Sequence, residues 1–136
     1  MSLRAITILS LTLLAAPALA QTATVETAKL GKSQVTLTAH SFLTPEELQT
    51  LRLVMTNKQA LSVFLPGKPA NFSALAVSPS EGFIRGGKPV ASAAAVADLP
   101  DVDTARLNAL QSCDKARAKA SEPCVVVLEV GPAKKK

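Results

Sequence analysis

The sequence predicts an α+β domain: a small antiparallel sheet of about four strands, covered on one face by two helices and stapled by one disulfide. Three observations predict it. Short apolar runs of strand character alternate with two longer segments of helical period. The stretch beginning Thr44, Pro45 carries a complete helix-start signature. The two cysteines, Cys113 and Cys124, bracket the junction between a helical stripe and a β-branched run.

The first twenty residues, MSLRAITILSLTLLAAPALA, place one cation before an apolar run, then Pro17, then small residues at Ala18 and Ala20. This is the layout of a secretory signal peptide cut after Ala20. The apolar run is too short for the ~20 residues that span a bilayer, and no later stretch competes, so no transmembrane segment is expected after cleavage. The expected organisation is a signal peptide over 1–20, a flexible arm over 21–32, one α+β domain over 33–132 and a basic tail over 133–136.

Within the domain, SQVTLTA alternates Val35, Leu37 and Ala39 with threonines, the two-residue period of a half-buried strand. Thr44 as N-cap, Pro45 at the first helical position and Glu47 three residues beyond the cap predict a helix over 45–57. Leu48, Leu51 and Met55 give it an apolar face. ALSVFLPG reads as a short strand. FSALAV, apolar on both faces, reads as a buried strand that SPSEG turns into a hairpin. The Gly/Pro- and alanine-rich segment 85–101 reads as a surface excursion. A second helix is expected over 101–119, with Ala105, Ala109, Cys113 and Ala116 as its inner stripe, and CVVVLEV as a central strand.

Delivery to an oxidising compartment favours a disulfide between Cys113 and Cys124. The five-residue return after the helix can span up to ~17 Å, enough to bring the sulfurs together. Free or intermolecular thiols and a catalytic or metal role remain alternatives. For zinc, only His40 could add a nitrogen ligand, and carboxylates would have to complete an unusual set.

Net charge is +5. Setting aside Arg4, which falls in the signal peptide, and Lys134, Lys135 and Lys136, which form the tail, brings it to +1. With no Trp or Tyr and four Phe, base-stacking platforms are scarce, and no nucleic-acid partner is expected. His40, the single histidine, follows a strand and precedes a helix, where a general base could sit, but no nucleophile motif accompanies it. Arg85, Gly86, Gly87 and Lys88 form a turn whose backbone N–H groups could hold an anion or touch a partner. Glu46 with Glu47, and Asp101 with Asp103, read as helix-start charges.

The order FSALAVSPSEG, ARLNALQSC, PCVVV resembles a family of small secreted bacterial domains of unknown function, over residues 71–130. The resemblance implies a hairpin–helix–strand unit with Cys113 paired to Cys124, and no catalytic residues. The functional expectation is a periplasmic or secreted domain that binds a partner or ligand without catalysis or cofactor. Its partner would be another periplasmic or envelope protein, met through the excursion at 86–100. The alternatives are a small exported enzyme or enzyme inhibitor using His40 or the Arg85 to Lys88 turn, and a structural protein held to the envelope by its lysine tail.

Overall fold

Residues 23–134 are described by a computed structural model. The segment read as a signal peptide, 1–20, lies outside them, as do Lys135 and Lys136. In chain order the elements are β1 (Thr24–Leu30), β2 (Ser33–Ala39), α1 (Pro45–Thr56), α2 (Lys58–Phe64), β3 (Phe72–Val77), β4 (Ile84–Arg85), β5 (Lys88–Pro89), β6 (Ala94–Leu99), α3 (Val102–Ala116) and β7 (Val125–Pro132). Five strands form an antiparallel sheet in the order β1-β2-β7-β3-β6, and β4 pairs with β5 in a separate hairpin.

Side-chain alternation along β3 divides the core in two. Leu75 and Val77 join Val35, Leu37 and Leu128 under α1, where Leu51, Val54 and Met55 pack. Ala74 and Ala76 point the other way, onto Ala105 and Ala109 of α3. The run predicted to be buried on both faces is so because a helix covers each. Alanine against alanine lets α3 approach the sheet closely. The larger cluster supplies most of the burial energy, at ~1.5–3 kcal/mol for a fully buried leucine such as Leu37, Leu51 or Leu128.

The α+β class and the antiparallel sheet hold, while several elements differ from expectation. The sheet has five strands, because the supposed arm at 21–32 contains β1 and much of the supposed excursion is β6. The two long helices lie on opposite faces of the sheet. ALSVFLPG is not a strand: most of it belongs to α2, whose start is fixed by Asn57 Oδ1 accepting from the N–H groups of Gln59 and Ala60 at 2.9 and 3.0 Å.

Other elements form as their chemistry dictates. In α1 the Thr44 hydroxyl accepts from Glu47 N–H while the Glu47 carboxylate accepts from Thr44 N–H, a closed capping box. Asp101 caps α3 by accepting from Thr104 N–H at 2.7 Å. α3 ends at Ala116, three residues earlier than predicted, and Ala116 is exposed. The return partner of β3 is β6, not the residues directly after SPSEG. β7 is the central strand, flanked by β2 and β3.

Cys113 and Cys124 form a disulfide with Cα atoms 6.1 Å apart, joining α3 to the start of β7. The bond excludes free thiols and sulfur–metal ligation at these positions. Asp114 reinforces the junction by accepting from Cys124 N–H at 2.9 Å while pairing with Arg117.

Candidate functional site

One end of the sheet collects the β1–β2 turn, the start of β3, the end of β6 and the end of β7. Gly31 and Lys32 make the turn. The φ of +63° at Gly31, the first central residue, belongs to a type II′ hairpin, which glycine adopts without strain. α2 and the chain from Leu65 to Asn71 lie beside this turn and border an open cavity of about 370 Å³. Its apolar lining comes from Leu30, Leu61, Leu65 and Val130, and its polar lining from Ser33, Ser62, Ser73 and Asn71. Lys32, Lys58 and Lys68 line it, and among the described residues no carboxylate does. A Cβ added at Gly31 would lie 3.1 Å from Lys58 Cε and Nζ, so the Lys58 side chain reaches across the turn.

The cavity wall is held from behind by Asp98. Its carboxylate accepts from Lys68 N–H at 2.7 Å and from Asn71 Nδ2 at 3.3 Å, and the Lys68 hydrogen bond is the main cause of a carboxyl pKa below its ordinary value. Asp98 has φ +62°, a left-handed conformation that aspartate tolerates better than most residues.

All five ion pairs among the described residues are made by arginines: Arg52 with Glu26, Arg85 with Glu47, Arg106 with Asp103 and Glu129, and Arg117 with Asp114. Lysines make none of them. The cavity lysines therefore present positive charge that no described protein carboxylate neutralises by direct pairing.

Arg85, Gly86, Gly87 and Lys88 form the tip of the β4–β5 hairpin, with φ of +60° and +72° at the two glycines, as a type I′ turn requires. The Arg85 guanidinium lies 3.2 Å from the Glu47 carboxylate, which is fully buried and also accepts from Phe83 N–H at 2.6 Å and Ile84 N–H at 3.1 Å. Burial pushes the Glu47 pKa up, yet these backbone donors, Thr44 N–H and Arg85 together hold it below the ordinary carboxylate value. With Arg85 directed at Glu47, an anion at this turn would be met by Lys88 and the glycine N–H groups.

His40 is half-buried and stacks on Phe42, ring centroids 5.1 Å apart. No hydrogen bond among those of the described residues reaches its ring. Among the described residues no hydrogen bond, ion pair or ring contact joins His40 to the hairpin tip or to the disulfide.

The cavity is not legible in the sequence, because two of its walls, β1 and α2, carry the patterns of an arm and of a strand. One signal was available: Gly31 and Lys32 form a two-residue Gly-X loop between TVETAKL and SQVTLTA, a recognised hairpin spacing. Comparison with known proteins finds no matching family model, no matching curated protein and no matching solved structure.

Proposed function

We propose that this chain is an exported, non-enzymatic binding protein whose ligand seat is the lysine-rimmed cavity between the β1–β2 turn, α2 and residues 65–71. The observation that carries the reading is the pairing of an apolar lining with Lys32, Lys58 and Lys68, in a volume of about 370 Å³ that falls within the usual range for small-molecule sites. Such a lining suits an amphiphile with one anionic head, carboxylate or phosphate, and a short apolar body. The apolar part would lie against Leu61 and Leu65, and the head would meet the ammonium groups. Export is supported by the signal-like layout of residues 1–20 and by the Cys113–Cys124 disulfide, which is characteristic of oxidising compartments.

Titration calorimetry with decanoate tests this reading. Binding is expected, weakened about tenfold or more by Lys58→Glu and by Leu61→Asp, and unchanged by Lys115→Glu on the far end of α3. Absence of binding, or equal loss with Lys115→Glu, would overturn it.

A further inference from the structure

We infer that the same end of the molecule docks on an anionic phospholipid surface, through Lys29 and Lys134 beside the ligand cavity together with the lysines at its rim. One hollow continues outward from the cavity, and a second continues from that one. The first shares Gly31, Lys32 and Pro69 with it and adds Lys29 and Lys134. The second lies between β1 and the end of β7 and is again lined by Lys29 and Lys134. Among the described residues no aspartate or glutamate lines either. Five lysines, Lys29, Lys32, Lys58, Lys68 and Lys134, therefore ring one end of the sheet, Lys29 from the side of β1 opposite Leu30, and among the described residues no carboxylate lines these three hollows, Glu129 lining a neighbouring one with Lys134.

The face is rigidly built. Lys29 sits in β1 opposite Gln34 of β2, Lys32 in the tight turn, and Lys134 directly after Ala133, whose N–H donates to Lys32 O at 2.9 Å. The nearby carboxylate, Asp98, is occupied with Lys68 N–H and Asn71. Clustered lysine is suited to a phosphate-rich lipid surface, which needs many point charges at one plane rather than the bidentate geometry arginine supplies. Each lysine near such a surface strengthens attachment by roughly fivefold, and salt screens the effect over about 10 Å. The placement would also bring the mouth of the cavity to the headgroup plane.

Vesicle co-sedimentation tests the inference, using the disulfide-intact protein with an identical N-terminus in every variant. Vesicles of equal parts phosphatidylglycerol and phosphatidylcholine are compared with phosphatidylcholine alone. Expected are retention on the anionic vesicles only, release by added salt, and a drop of at least about twentyfold for the double variant Lys29→Glu/Lys134→Glu. The control Lys115→Glu/Lys119→Glu changes net charge equally and should keep most of the binding. Leu61→Asp should still sediment although it loses decanoate, whereas the Lys29→Glu/Lys134→Glu variant should still bind decanoate, so the two ideas fail separately. Equal retention on neutral vesicles, equal loss in both charge-reversed pairs, or binding to soluble polyphosphate with none to vesicles would overturn the inference.

Discussion

Glu47 in the first turn of α1 and Phe83, 36 residues later, are joined by a buried hydrogen bond of 2.6 Å from the Phe83 N–H to the Glu47 carboxylate. One carboxylate thus caps its own helix and fastens the segment that leads into the glycine hairpin. Gly82 makes the approach feasible: its φ is +68°, and a Cβ there would collide with the Glu47 carboxylate and Arg85.

Removing Glu47 should therefore cost far more than removing its ionic partner. Glu47→Ala leaves the N–H groups of Phe83, Ile84 and Thr44 without their acceptor and should lower stability by about 3–5 kcal/mol. Arg85→Ala removes a guanidinium that is 40% exposed and should cost about 1 kcal/mol or less. Urea unfolding of the two variants measures the difference. Equal losses would mean that the ion pair, not the backbone donors, carries the interaction.

Acid should destabilise the fold through the same group. The Glu47 carboxyl is held below its ordinary 4.5, and those of Asp101 and Asp114 below 3.8. A lowered native pKa means that the unfolded chain binds more protons, so the stabilisation is present above the ordinary value and is lost as pH falls through the native one. The urea midpoint should decline below about pH 4.5, with a shallower decline in Glu47→Gln. An unchanged slope in that variant would remove Glu47 from the acid response.

The disulfide should act as a staple. Closing a loop of about 12 residues contributes about 3 kcal/mol in the chain-entropy model, so Cys113→Ser/Cys124→Ser should shift the urea midpoint by about 1–2 M. Mass spectrometry of the unreduced protein after alkylation should find neither sulfur modified. Two modified thiols would contradict the bond.

Asp98 should matter to binding more than to folding. Asp98→Ala frees Lys68 N–H and Asn71 from their common acceptor and loosens the cavity wall. Decanoate affinity should fall several-fold, with a smaller change in thermal midpoint. A full-strength site in this variant would show that the wall stands without it.

Much of the fold was legible wherever the determining chemistry is local. Thr44, Pro45 and Glu47 announce α1 within four residues, and Val125, Val126 and Val127 announce a strand covered on both sides. β1 was illegible because its inward residues, Glu26, Ala28 and Leu30, make a weak apolar pattern, while Val25 faces outward at 62% exposure. α2 is hidden in the sequence because Val63 and Phe64 favour strands, a preference that the Asn57 cap outweighs.

The opposed helix faces lie beyond any periodicity. β2 to β3 and β6 to β7 are parallel crossovers running in opposite senses over the sheet. Two such crossovers of the same hand would share a face, so one of them has the rare hand. The cavity inherits these difficulties, since its lysines converge only after β1, α2 and β6 are in place. Lys29 and Lys134 are 105 residues apart in sequence and meet only in the fold.

The amide correlation spectrum recorded by NMR during a decanoate titration reports on binding location most directly. Saturable shifts should appear at Gly31, Leu61, Gly67 and Ser73, with Gly86 and Gly87 unmoved. Shifts centred on Gly86, Gly87 and Lys88 with a silent cavity, or no saturable shift anywhere, would contradict a ligand seat at the lysine-rimmed end.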